Sequence, residues 1–176
     1  FESFISGPLT DTLGIRIAGR WENSDKGWQK SVSRNERIGE KDRLGLRATL
    51  AWEPNDRFML NLVGSYWRDR SDTVATQASF LLANVPPFLQ PGVAESIRSD
   101  WTSGTADWDP DNGTKPPFRT HSDFYGIAGR MSYKLSDSLS LISLTSYNYV
   151  KRRDVTDADG SAIEVFALDS FGHVGS

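Results

Sequence analysis

The sequence has no cysteine, so it builds neither a disulfide framework nor a thiolate-metal site, and the redox compartment stays open. It lacks any apolar run of the roughly 18 residues that a membrane-spanning helix needs. Its mean hydropathy is −0.47. A transmembrane helix is thereby excluded, but a transmembrane barrel is not, because alternating strands look soluble on average. Basic character is also lacking: the net charge is −3 and the pI about 5.4, so nothing favours nucleic acid. Histidine is scarce, and His121 and His173 have no visible motif partner. No Ser-His-Asp arrangement, phosphate loop or paired-carboxylate motif stands out. The expectation is a chain that is not an enzyme and holds no cofactor.

What is present is alternation. Over 44–72 the chain reads LGLRATLAWEPNDRFMLNLVGSYWRDRSD. Leu44, Leu46, Ala48, Leu50 and Trp52 share one parity, and Arg43, Gly45, Arg47, Thr49 and Glu53 the other. After Glu53-Pro54-Asn55-Asp56, Phe58, Leu60, Leu62, Gly64 and Tyr66 share one parity against Met59, Asn61, Val63, Ser65 and Trp67. A period of two marks strands with unlike faces. Pro, Asn and Asp between them mark a turn. The stretch is a hairpin with one apolar and one mixed face.

The hairpin recurs. From Asp56, apolar residues lie at +2 and +4 and Tyr66 at +10. From Asp137 the same offsets give Leu139, Leu141 and Tyr147; from Asp11 they give Leu13, Ile15 and Trp21. Any amphipathic hairpin repeats apolar residues at +2 and +4. An aromatic at a fixed height is not explained that way, since aromatics are 11% of the chain. The intervals are unequal, so this is no solenoid.

In order, strands are expected at 1–6, 12–21, the two arms of 44–72, 123–134 and 139–152, with a seventh beginning within 162–171. Turns are expected at 7–11, 53–56 and 135–138, and long connections at 22–42 and 71–122, with another loop opening at 154–160. In the sixth strand Ile142 and Leu144 sit on the wrong parity; either a bulge shifts the phase or that face meets protein inside. The chain starts at Phe1 inside an apparent strand, and the expectation is a piece of something larger.

Short and long connections alternate, so an up-and-down sheet has its tight turns at one end and its long loops at the other. Outer-membrane barrels have this asymmetry, whereas compact soluble domains rarely carry so long an unstructured loop as 71–122. Aromatics bracket the apolar faces: Trp52, Phe58 and Tyr133 by the turns, Trp21, Tyr66, Tyr125 and Tyr147 by the loops. This is the expected pair of interfacial girdles. Arg16, Arg20, Arg43, Arg47, Asn61 and Arg130 lie on the opposite faces, costly against lipid and natural in a wet lumen. A soluble sandwich with the apolar faces as its core is the alternative. The predicted class is all-β, an antiparallel up-and-down transmembrane β-barrel segment.

Three stretches, SGPLTDTLGIRIAGR, LRATLAWEPNDRFMLNLVGSYWRDRSD and YKLSDSLSLISLTSYNY, together 59 of the 176 residues, resemble the barrel of a TonB-dependent outer-membrane receptor. The resemblance lies in Pro-Leu-x-Asp-x-Leu followed by Arg on alternate positions, and in Trp-Glu-Pro-x-Asp ending in Tyr-x-Arg-Asp. It implies that residues 1–176 are about six or seven strands of a ~22-stranded barrel filled by a plug. It implies import of a scarce ligand such as a ferric siderophore across the outer membrane of a Gram-negative bacterium. Partners would be outer-membrane lipid, the imported small molecule, and the TonB complex through a plug and TonB box outside these residues. A passive porin, an adhesin-type barrel and an outer-membrane enzyme are the alternatives.

Within 71–122, the run D-W-D-P-D-N-G is reminiscent of a calcium loop. An EF-hand needs Gly at position six and Glu at twelve, and counting from Asp107 these are Asn112 and Phe118. An irregular Ca²⁺ site on Asp107, Asp109 and Asp111 stands against a solvated acidic loop, the simpler reading. Trp101 and Trp108 are candidates to stack on a ligand, against packing on neighbouring loops. Lys151, Arg152 and Arg153 follow the sixth strand's aromatics, at a strand end beyond the membrane where they would meet lipid headgroup phosphates.

Overall fold

The computed structural model describes residues 1–31, 35–76, 118–157 and 167–176, with the backbone of 105–106. Ten strands follow in chain order: β1 (Glu2–Thr10), β2 (Leu13–Asn23), β3 (Gln29–Ser31), β4 (Arg37–Ile38), β5 (Asp42–Asn55), β6 (Phe58–Asp69), β7 (Thr105–Ala106), β8 (Thr120–Ser136), β9 (Leu139–Asp157) and β10 (Ala167–Gly175). Seven of them form one sheet in the order β1-β2-β5-β6-β8-β9-β10, and each neighbouring pair is antiparallel. The protein is all-β, with an up-and-down antiparallel sheet.

The three expected hairpins are present, and their turns are built alike. The two turn residues are Asp11-Thr12, Asp56-Arg57 and Asp137-Ser138, so the aspartates that align the repeat each begin a turn. Each turn is preceded by a register shift, at Pro8/Thr10, Trp52/Asn55 and Lys134/Ser136. This corrects the expected turns at 7–11 and 53–56, because Pro8 and Pro54 lie inside strands. Proline is tolerated on edge strands and at bulges. β1 is an edge strand, and Pro54 sits in the β5 bulge, past Trp52, the last β5 residue paired with β2. Asn55 Oδ1 closes its turn by accepting hydrogen bonds from the Arg57 and Phe58 amides, 3.0 and 3.1 Å.

Directly opposed residues share a face. Following the ladders across the sheet, Ile17, Ala48, Gly64, Ile127 and Tyr147 fall in one row, and Ile15, Leu50, Leu62, Gly129 and Thr145 in the next. From the turn-side aromatics to the row of Tyr66 and Tyr125, this face carries no charged residue on any strand of the sheet. Up to the Tyr66–Tyr125 row the other face carries Arg16, Arg47 and Arg130, with Arg20 one residue above it. The β8–β9 ladder runs unbroken from Thr120↔Asp154 to Lys134↔Ser140, so no bulge rephases the sixth expected strand. Ile142 and Leu144 simply lie on the charged face, and Leu144 is 74% exposed.

Among the described residues the sheet does not close, and no element packs over either face. Ile17, Tyr125 and Ile127 remain about half exposed. The only buried apolar residues among those described, Ala75 and Val155, lie at the loop end. There the connections have structure that sequence reading did not anticipate. β3 pairs antiparallel with β4 and parallel with β7, which comes from within the 71–122 connection. β4 is followed by Gly39, whose φ of +94° favours glycine; a Cβ there would meet the Trp28 indole at 2.6 Å.

Candidate functional site

Three surfaces follow from this fold: the uncharged face with its aromatic rows, the arginine-bearing face, and the loop end. On the uncharged face, Trp52 packs edge-on against Phe58, ring centroids 5.4 Å apart, and Phe58 lies 6.4 Å from Tyr133. Phe58 and Tyr133 are directly opposed across β6 and β8, and Trp52, opposite Leu60, sits one step further from the turn on the same face. At the other end, Tyr66 and Tyr125 are opposed, with centroids 5.1 Å apart. Tyr125 in turn lies 6.5 Å from Tyr149. Tyr149 is the ring that sequence reasoning missed, although it shares the parity of Tyr147. Tyr147 sits one step lower, opposite Ile127, and Trp21 one step higher, opposite Leu44.

On the other face Arg16 lies over the Phe4 ring, 4.1 Å from its centroid, a cation–π contact. Arg20, Arg47 and Arg130 make no ion pair among the described residues. Arg43 differs: it contacts Asp69 at 2.9 Å and Glu22 at 3.8 Å. The face is thus a wall with guanidiniums left for water or another anion.

The loop end is where polar groups are buried and paired. Gln29 lies parallel to the main chain of Ala75. Its Nε2 donates to the Ala75 carbonyl at 3.0 Å, and its Oε1 accepts from the Ala75 amide at 2.8 Å. The side-chain amide stands in for a strand and joins two connections 46 positions apart. Ile38 and Phe118 pack on Ala75. Asp69 accepts from the Ser71 amide, Asp72 accepts from the Glu40 amide, and the Thr73 hydroxyl donates to the Val155 carbonyl. We expect Gln29→Ala to leave both Ala75 backbone groups buried and unpaired, at about 1–3 kcal/mol. Limited proteolysis within 24–41 checks this; an unchanged cleavage rate would mean the clasp is not holding the loops.

Just beyond the tyrosine row, on the uncharged side of the sheet, the strands carry charge again. A cavity of about 600 Å³ opens there between Arg70, His121, Asp123, Lys151, Arg153 and Asp169, floored by Val155 and Phe171. Arg70 grips Asp123 through both carboxylate oxygens, 2.9 and 2.8 Å. Arg153 holds Asp169 likewise, 2.9 and 2.7 Å. The hydrogen bond from Arg153 lowers the Asp169 pKa below the ordinary carboxylate range. The pair therefore persists at neutral pH and is released as pH falls through that lowered value. Of the expected basic cluster, Lys151 and Arg153 line this cavity, while Arg152 projects from the opposite face toward Asp154.

Asp107, Asp109, Asp111, Trp101 and Trp108 lie outside the described residues. Among the described residues no group of three or more His, Asp or Glu is placed to hold a metal. Among the described residues no helix is long and apolar enough to cross a membrane, which says nothing about strands. Comparison with protein families, characterised proteins and solved structures returned no match.

Proposed function

We propose that residues 1–176 are part of the barrel wall of a Gram-negative outer-membrane active-transport receptor. Such a receptor imports a scarce ligand, in the manner of a ferric-siderophore receptor energised through TonB. The observation that supports the membrane reading best is the uncharged face bracketed by aromatic rows. Phe58 to Tyr66 spans eight residues, about 27 Å of strand. At the ~40° tilt of such barrels that is about 20 Å of height, near the ~25 Å apolar band of outer-membrane barrels. The arginine-bearing face then lines the wet interior. All three two-residue turns lie at one end of the sheet and the long connections at the other, which supports periplasmic and extracellular ends respectively.

Two features favour a larger closed barrel over a soluble sandwich. Among the described residues, no element covers either face of the sheet. In addition, six successive antiparallel pairings leave β1 and β10 running in the same direction, so these two edges cannot join antiparallel to each other. Closure calls for further strands. The active-transport part of the reading rests on the resemblance of the three strand-turn-strand stretches to TonB-dependent receptors.

Topology tests this directly. An epitope inserted at Lys26 in the full-length protein stains on intact cells, and one at Asn55 stains only after permeabilisation; the reverse pattern would invert the proposal. Energised import separates a receptor from a passive porin. Uptake that stops when the TonB complex is deleted supports the receptor, and uptake indifferent to that deletion supports the porin.

A further inference from the structure

We propose that the loop-end cavity, with the groove beneath it, binds an anionic lipid through its phosphate headgroup. This rests on the membrane reading above and adds a specific ligand to that surface. Two adjoining features carry it.

The first is the unequal pairing of charge in the cavity. Its walls bring three cations, Arg70, Lys151 and Arg153, and two carboxylates, Asp123 and Asp169. Both carboxylates are taken bidentately by the two arginines. Lys151 lies directly opposite Asp123 in the ladder, yet it has no ion pair or hydrogen bond among the described residues, and neither has His121. The net positive charge is therefore concentrated on one exposed ammonium. An ammonium is a compact donor of three hydrogen bonds and suits a phosphate as a point charge. Arg153 uses Nε and Nη2 on Asp169, which leaves its Nη1, in the cavity that Lys151 also lines, for a second phosphate oxygen.

The second is what lies below the tyrosine row. A groove of about 500 Å³ runs along the uncharged face past Tyr66, Tyr125, Ile127 and Tyr147 to Leu46 and Ile17. Gly64 helps to form it, and a Cβ at Gly64 would meet nothing within 4 Å. A cationic pocket at the interface with an apolar groove leading toward the membrane centre matches an amphiphile. A free anion would use only the pocket. The net positive charge favours an anionic lipid over a zwitterionic one, each basic residue near a surface contributing modestly to such selection.

The test uses the full-length protein in detergent, offered phosphatidylglycerol and phosphatidylcholine in equal amounts and read by native mass spectrometry. Wild type is expected to retain phosphatidylglycerol preferentially. Lys151→Glu should lower that retention about tenfold, the loss of one charge-assisted hydrogen bond. Gly64→Leu fills the groove without touching the cavity and should also lower lipid retention, leaving binding of inorganic phosphate unchanged. Equal retention of the two lipids, or retention unaffected by Lys151→Glu, would overturn the proposal. Phosphate binding lost in Lys151→Glu, with lipid retention indifferent to Gly64→Leu, would make this a free-anion site and overturn the lipid assignment. Spin labels at Leu62 keep the two readings apart. Oxygen accessibility there with no lipid selection sinks only this inference, while nickel accessibility sinks the membrane reading itself.

Discussion

Purified by itself and refolded into detergent, the 176-residue chain runs as oligomers or aggregates, not as a monodisperse monomer. The sheet offers two unpaired edges, β1 and β10, and lipid or detergent gives their backbone groups no partners. Seven strands also fall below the roughly eight of the smallest bacterial barrels. In water, Leu46, Leu50, Leu62 and Ile127 form part of one continuous apolar surface, larger than monomeric proteins ordinarily tolerate. Free edges then template pairing between copies. Size-exclusion chromatography with light scattering reads the outcome. A monomer with a sharp, cooperative unfolding transition in water would mean that the apolar face closes on itself, and the barrel reading would give way to a soluble sandwich.

The second large effect is at Leu62. This residue lies midway between the aromatic rows on the uncharged face, opposed by Leu50 and Gly129. In the full-length protein in lipid vesicles, Leu62→Arg should cost about 2–4 kcal/mol, the penalty of a guanidinium near the bilayer midplane. Val63→Arg, one residue away on the arginine-bearing face, should cost far less. Denaturant titrations of the two variants decide the matter. Similar losses at both positions would mean that the two faces do not see different solvents.

The strand pairs and their faces were legible because a two-residue turn fixes register, and register fixes which parity meets which across the sheet. Asp11, Asp56 and Asp137 mark those turns, and the apolar and aromatic residues at constant offsets from them mark the faces. The turn limits were displaced because Pro8 and Pro54 read as turn residues, while bulges let them remain in strands. Ile142 and Leu144 suggested a phase shift, and the ladder has none there; apolar side chains simply occupy both faces of β9. The loop end was not legible at all. Lys30 pairs with Thr105, and Gln29 pairs with the backbone of Ala75, and neither contact leaves a period in the sequence. The loop-end cavity was half legible: the run Lys151-Arg152-Arg153 announced basic charge at that height, but alternation sends its middle member to the other side of the sheet.

The three matching hairpins have a consequence for how such a wall changes size. Each two-strand unit leaves and re-enters the sheet at the loop end, so the unit of gain or loss is a hairpin. Excising residues 42–69 would bring β2 beside β8, and these two run in opposite directions, so the new seam is antiparallel like the old ones. The uncharged side would stay uncharged, every tight turn would stay at the same end, and the sheet would be narrower by two strands. A sheet assembled this way can widen or narrow in steps of two without any strand having to learn a new neighbour's direction.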